Sequence, residues 1–189
     1  MINKFWSYFR EVQPPLVRVI HLTVLVLVLM QMISSNLISF DGSGRVSESQ
    51  VFFMGSWTHF SIGIVLGLVG VLFVAIEITK HGIRYFFPYL WGDITQIKAD
   101  LKTLLSRQLP ELVPGSLAAV VQGLGLGALV LTLASGLGWF FMWQTGVGMA
   151  EAAISIHETF TGLIQAYAIG HGGLGLLHII LWNKRKDQV

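Results

Sequence analysis

The chain contains no cysteine. This absence excludes disulfides, thiolate metal sites, cysteine-ligated iron–sulfur clusters and the thioether attachment of a c-type haem. Charged residues are also scarce: they make up 12% of the 189 residues, which is about half the usual share. Because so few charges cannot cover the surface of a soluble domain, the composition excludes a disordered chain, a nucleic-acid-binding module and an ordinary cytosolic enzyme.

Apolar residues account for 53% of the chain, and the mean hydropathy is +0.68. A helix needs about 20 apolar residues to cross a bilayer, and four stretches reach that length. Their apolar runs are continuous and do not alternate as the strands of a membrane barrel would. The first stretch is too long for a signal peptide, so we expect it to be retained. The sequence predicts one all-α domain over residues 1–189, an integral membrane four-helix bundle with spans at about 16–39, 51–78, 114–143 and 151–182.

Basic residues are distributed asymmetrically around the four predicted spans. Eleven of the twelve lysines and arginines precede the first span, follow the last span or lie between the second and third. Only Arg45 lies in the first connecting loop. By the positive-inside rule, both termini and the middle loop are predicted to be cytoplasmic.

The middle loop carries the pattern of a short amphipathic helix. Between residues 92 and 107, apolar residues recur at helical spacing, which predicts a helix on the cytoplasmic membrane surface. Docking to a partner protein is the alternative interpretation. An aromatic group before this helix is expected to sit at the membrane interface; it comprises Tyr85, Phe86, Phe87, Tyr89 and Trp91.

Five of the six histidines lie within predicted spans, and we expect only His81, in the middle loop, to be solvated. Ionisable residues inside a membrane are rare and mark functional sites. The alternating direction of the spans sorts four of them by depth, His59 with His157 toward the outside and His21 with His171 toward the cytoplasm. His157 and His171 are 14 residues apart, so they share one helix face about 21 Å apart along the axis. Two planar cofactors stacked across the membrane, each a b-type haem held by two histidines, fit this pattern.

The segment HETFTGLIQAYAIGHGGLGLLHIILW, residues 157–182, resembles the last helix of bacterial cytochrome b561 proteins. The segments HFSIG, residues 59–63, and VIH, residues 19–21, resemble the haem-histidine regions of that family's second and first helices. The chain is also similar to the cytochrome b subunits of nickel–iron hydrogenase and formate dehydrogenase, particularly in its long middle loop. The resemblance implies a multi-pass protein of the bacterial inner membrane with two b-type haems. His59 and His157 would ligate the outer haem iron, and His21 and His171 the inner.

The function expected from this resemblance is electron transfer between a periplasmic redox partner, either a redox protein or a dehydrogenase subunit, and the membrane quinone pool. His178, on the same helix face as His171, and Trp182 are candidates to contact quinone. The alternative for His178 is an interfacial packing residue. Arg18 is expected to pair with a propionate of the inner haem or to reach lipid headgroups. Glu158, beside His157, is either a helix-end carboxylate or a group that handles protons or a partner at the outer face.

Two alternative functions remain open from the sequence. One is a self-contained superoxide or quinol oxidoreductase of the cytochrome b561 type. The other is a haem-free anchor or transporter whose histidines bind metal or relay protons. The outer face carries a net negative charge, which favours a cationic partner over an anionic substrate. Membrane lipid is an expected partner in every case, and homo-oligomerisation is left open.

Overall fold

The computed structural model describes residues 6–7, 9–11, 13–41, 45–106, 108, 110, 113–146, 148 and 150–186, without the side chains of 150–151, 177–178, 181 and 183–186. Within these residues the chain is helical and contains no β-strand, which confirms the all-α class. The helices are α1 Pro15–Ser34, α2 Gln50–His81, α3 Ile83–Phe86, α4 Thr95–Leu105, α5 Leu117–Thr145 and α6 Ala150–Lys186. Short 3-10 turns occupy Ser35–Leu37 and Pro88–Trp91.

The long helices form a bundle with an apolar exterior. Among the described residues, three helical segments are long and apolar enough to cross a membrane, Pro15–Leu37, Gln50–His81 and Leu117–Thr145. Residues on the outside of the bundle include Ile33, 69% exposed, and Leu68, 72% exposed. Because water would penalise such a surface and lipid would not, these features confirm an integral membrane helical bundle.

Neighbouring helices pack in the order α1 on α2, α2 on α5, and α5 on α6. The core between them is aliphatic; it comprises Ile20, Val24, Val28, Leu66, Ala128, Leu129 and Ile164. Local residues set the helix ends. Helix α1 begins with a proline in its first turn. Helix α5 begins where the Ser116 hydroxyl accepts from the Ala119 amide, and it ends at Thr145, before the left-handed Gly146. A turn between α5 and α6 begins at this glycine.

Helix α6 is much longer than a bilayer core is thick. Its 37 residues correspond to about 55 Å of helix, against about 30 Å of hydrocarbon. It runs past the start of α1, where the Trp182 indole N–H donates to Glu11 Oε1 at 3.4 Å. This overhang explains how His21, close to the beginning of α1, shares a depth with His171, which lies well before the end of α6.

The segment between α2 and α5 differs in part from its sequence prediction. Helix α4 leaves Leu101 and Leu105 exposed at 54% and 79%, as a helix lying on a membrane surface would. Phe86, however, was expected at the interface and is instead 1% exposed. It fits against Gly123 of α5, where an added Cβ would lie 2.7 Å from the Phe86 Cβ. Because Gly123 has no side chain, the Phe86 ring can pack against α5 and is buried in the protein.

Asp100 anchors α4 to the bundle. It is 2% exposed, and its carboxylate accepts from the Leu117 amide and the Gln96 side chain, each at 2.7 Å. The amide lies in the first turn of α5, where backbone N–H groups lack partners within the helix. The aspartate thus links the surface helix to the start of a membrane span.

Candidate functional site: two histidine layers

His21 of α1 and His171 of α6 form an inner histidine layer. Their ring centroids are 6.1 Å apart, with 59° between the ring planes. Aromatic side chains stack on both imidazoles: Phe73 on His21 at 5.8 Å, and Tyr167 on His171 at 5.1 Å. Packing therefore sets the orientation of both rings.

The separation of the inner rings matches that of two imidazoles on one metal ion. Imidazole nitrogens bind a metal at about 2.0 Å, so the centroids of two opposed ligands lie about 6 Å apart. The glycines that flank His171, namely Gly170, Gly172 and Gly173, are exposed, and Cβ atoms added there would contact nothing within 4 Å. The spacing of the two rings is that at which His21 and His171 could hold one haem iron.

His59 of α2 and His157 of α6 form an outer histidine layer. Both line a cavity of about 510 Å³ between α1, α2, α5 and α6. Most of the lining is apolar or aromatic, and Gly63, Gly136 and Gly162 also contribute to it. This volume and lining are typical of a site for a flat apolar cofactor.

A serine hydroxyl lies against Nδ1 of each outer histidine. Ser34 Oγ donates to the Gln31 carbonyl at 3.3 Å and lies 3.1 Å from His59 Nδ1. Ser135 Oγ donates to the Thr132 carbonyl at 3.0 Å and lies 3.2 Å from His157 Nδ1. With each hydroxyl proton directed to its carbonyl, the hydroxyl oxygen accepts from Nδ1–H. Nε2 of each ring is then unprotonated, which is the form that binds a metal.

The helix backbones that carry the outer histidines are held as well. The Gln31 side-chain amide donates to the His59 carbonyl at 3.0 Å. The Thr161 hydroxyl donates to the His157 carbonyl at 2.8 Å, and the Thr132 hydroxyl donates to the Phe160 carbonyl at 3.0 Å. The pairs α1–α2 and α5–α6 thus use equivalent polar contacts to position one histidine each.

Gln13 supports His21 from outside the membrane span. Its Nε2 is placed 3.0 Å from His21 Nδ1, and its Oε1 is buried without a partner among the described residues. The two amide atoms are interchangeable in placement. Exchanging them pairs the buried oxygen with Nδ1–H, so His21 also presents Nε2 to a metal.

Two glycines of α5 make room for the ligand layers. A Cβ at Gly136 would lie 2.7 Å from His157 Cε1. A Cβ at Gly125 would overlap the Tyr167 ring, which stacks on His171. Helix α5 carries no histidine, yet it shapes both layers through these close approaches.

The remaining candidate residues lie around these layers. Arg18 is half-buried beside an open pocket near His21. Glu158 is exposed and borders the outer cavity. The Trp182 indole contacts Glu11, whereas the side chain of His178 lies outside the described residues.

His81 is exposed, as expected, and it also contacts Glu77 and Tyr85. Its Nε2 lies 3.8 Å from Glu77 Oε2, and its ring lies 4.6 Å from that of Tyr85. Burial, together with the Glu77 carboxylate, raises the pKa of Tyr85 above its ordinary value. Glu77 itself has a second buried oxygen, Oε1, without a hydrogen-bond partner among the described residues.

Sequence reasoning missed the residues that orient the histidines: Gln13, Gln31, Ser34, Thr132 and Ser135. A signal was present, because Gln31–Ser34 and Thr132–Ser135 place two polar side chains three residues apart inside apolar spans. Such pairs share a helix face. Their histidine partners, however, lie on other helices, and only the packed bundle identifies them.

Two histidine layers in an apolar helix bundle are typical of membrane proteins that bind haem and transfer electrons. The family model described as prokaryotic cytochrome b561 matches residues 12–186, and the chain belongs to that family. It is accordingly a prokaryotic membrane protein that binds b-type haem and transfers electrons across the membrane. No curated protein and no solved structure gave a significant match.

Proposed function

We propose that this chain carries two b-type haems and passes electrons between a periplasmic redox partner and the quinone pool of the bacterial inner membrane. The observation that carries this proposal is the arrangement of four histidines in two layers. Their separation, about 21 Å along α6, supports one layer toward each side of the bilayer.

In the outer layer, His59 and His157 would bind the iron through Nε2. The Ser34 and Ser135 hydroxyls keep the Nδ1 proton in place, so both rings stay in the ligating tautomer without rearrangement. The lining of the cavity is mostly apolar, and low solvent exposure of a haem helps to set its reduction potential.

In the inner layer, His21 and His171 would take the same role. Phe73 and Tyr167 hold the rings by stacking, and Gln13 holds the Nδ1 side of His21. Arg18 lies one turn before His21 and would pair with a haem propionate. When bound, the haems supply reversible one-electron chemistry, and the protein sets their separation and their environment.

The charge of the outer face supports a cationic or membrane-anchored partner. Asp41 and Arg45 neutralise each other at 3.6 Å, which leaves Glu48 and Glu158 exposed. Such a surface slows the approach of anions, so it disfavours the superoxide-oxidising alternative. Quinone is proposed to bind at the opposite end near His178 and Trp182, where a neutral imidazole would donate a hydrogen bond to its carbonyl.

Haem stoichiometry and a reduced-minus-oxidised visible spectrum of the purified protein test the proposal. We expect two b-type haems per polypeptide, with two components in a redox titration. A single haem would contradict the two-layer scheme, and colourless, properly inserted protein would refute haem binding altogether. Reduction of both haems by a quinol analogue, and its loss in His178→Ala with haem content intact, would separately test the quinone site.

A further inference from the structure

A second, open pocket of about 660 Å³ lies where α1 begins and α2 ends. Three cationic side chains border it: Arg10 before α1, Arg18 in α1 and Lys80 near the end of α2. The cations therefore come from separate segments of the chain and converge on one concave site. We call this site the basic pocket.

The cations of the basic pocket outnumber its carboxylates within the described part of the chain. None of Arg10, Arg18 and Lys80 forms an ion pair there, although ion pairs occur elsewhere. Glu11 also borders the pocket and contributes one negative charge, so three cationic side chains face one carboxylate and the pocket keeps a net positive charge. Convergent like charges repel one another, so an anion bound among them would be stabilised.

The backbone adds further positive potential to the basic pocket. Helix α1 starts at this point, with Pro14 as its N-cap, no side-chain cap and no acidic residue in its first turn. The amides of Leu16 and Val17 lie in the first turn and have no acceptor within the helix, so they add to the positive end of the helix dipole. The basic side chains and the start of α1 thus both raise the positive electrostatic potential in the basic pocket.

The basic pocket lies at the level of lipid headgroups. It joins the ends of two helices that are long and apolar enough to span the membrane. Just beyond it along α1, Leu16 and Val19 are 63% and 61% exposed. An exposed apolar strip next to a cationic recess matches the two parts of a phospholipid, the acyl chain and the phosphate. Basic pockets between membrane helices bind anionic headgroups in this way.

We propose that the basic pocket binds the headgroup phosphate of an anionic phospholipid. Arg10 and Lys80 would contact the phosphate. Arg18 lies between this phosphate and the inner histidine layer, and it would also serve the haem propionate described above. The lipid site depends on the membrane placement of the bundle and does not require the haem assignment.

The test compares purified holoprotein in nanodiscs of phosphatidylcholine alone with nanodiscs containing equal parts of phosphatidylglycerol. We expect phosphatidylglycerol to raise the Tm and to remain bound in native mass spectrometry. The double variant Arg10→Gln/Lys80→Gln should weaken this retention by about 30-fold, since each cation near an anionic headgroup contributes about fivefold. The variant Arg84→Gln/Lys98→Gln removes the same charge from exposed positions outside the pocket and should retain the lipid.

Three results would overturn the proposal. The first is equal lipid retention by both double variants, which would indicate a diffuse charge effect. The second is an equal Tm increase when inorganic phosphate is added to phosphatidylcholine nanodiscs, because the site would then take free phosphate. The third is loss of haem from the Arg10→Gln/Lys80→Gln variant with lipid retention unchanged, which would assign the pocket to the propionates. Measuring haem by absorbance in the same samples separates failure of this proposal from failure of the haem scheme.

Discussion

The two histidine layers are positioned by different physical means. In the outer layer, serine hydroxyls bind the ring nitrogens of His59 and His157, and polar side chains hold the carbonyls of both residues. In the inner layer, Phe73 and Tyr167 stack on the imidazoles, and a single amide reaches His21. Hydrogen bonds dominate one layer, and aromatic packing dominates the other.

Both layers pair two histidines from different helices, but different kinds of residue position the rings in each layer. The outer contacts join α1 to α2 and α5 to α6, so each neighbouring pair of helices positions one outer histidine. The inner contact joins α1 to α6, the first and last long helices of the chain. We therefore expect outer-layer substitutions to act through the ligand tautomer and inner-layer substitutions through ring placement.

Replacement of one ligand should have the largest effect, because it separates the two layers directly. His157→Ala is expected to remove the outer haem and His171→Ala the inner haem, so each variant retains about half of the haem. Haem per polypeptide and redox titration would measure this. His81→Ala is the control, since His81 belongs to neither layer, and it should keep both haems. Unchanged haem content in either ligand variant would contradict the assignment of one haem to each histidine layer.

Gly136→Ala should have the next largest effect and should act on the outer layer. The new Cβ would lie 2.7 Å from His157 Cε1, so the imidazole must shift away from its ligating position. Partial loss of the outer haem and an altered low-spin spectrum are expected, with the inner haem unaffected.

Gly138→Ala provides a matched control two residues along the same helix. A Cβ there meets nothing within 4 Å, so both haems should remain. If the two alanine variants behave alike, close approach at Gly136 does not position His157.

Ser135→Ala removes the acceptor for the Nδ1–H group of His157. Loss of such a supporting hydrogen bond typically weakens metal binding about 10- to 100-fold, and we expect that change for the outer haem alone. Haem retention during competition with apomyoglobin would measure it. Ser155→Ala, at an exposed position on α6, should leave retention unchanged.

The same measurement on Gln13→Leu sharpens the contrast between the layers. Its effect should fall on the inner haem and be smaller, because stacking by Phe73 and Tyr167 still holds the rings. Equal effects of Ser135→Ala and Gln13→Leu on both haems would show that the layers are not independent.

The smallest effect is expected from Glu77→Gln. Glu77 lies one turn beyond Phe73 in α2. Burial raises the pKa of Tyr85, and the Glu77 carboxylate raises it further. Glu77→Gln should therefore lower the pKa of Tyr85 while leaving it above the ordinary value, because burial is the larger cause. A raised tyrosine pKa stabilises the fold up to the unfolded-state pKa, and that contribution disappears as the pH rises through the folded-state pKa. Because Glu77→Gln lowers the folded-state pKa of Tyr85, it should narrow the pH range over which this stability is lost.

Tyrosine-labelled NMR across the alkaline range would follow the titration, with Tyr85→Phe identifying the signal. An unchanged Tyr85 pKa in Glu77→Gln would mean that the carboxylate does not act on the phenol.

Much of the architecture is predictable from local sequence. Long apolar runs predict membrane helices because an unsatisfied peptide group is costly in lipid, and the distribution of lysine and arginine predicts their direction. The spacing of His157 and His171 predicts a shared helix face because helix geometry is regular. The burial of Phe86 was not predictable, since it depends on a glycine of another helix that leaves room for the ring.

By itself, the sequence determined that the protein lies in a membrane and that its histidines occupy two depths, because hydropathy and helical period act along one segment at a time. Tertiary structure alone decided which side chains meet those histidines. Ser34 and Ser135 are separated from their partners by 25 and 22 residues, and Gly125 contacts Tyr167 across a helix interface. Such contacts depend on the register and rotation of packed helices, which no single segment specifies.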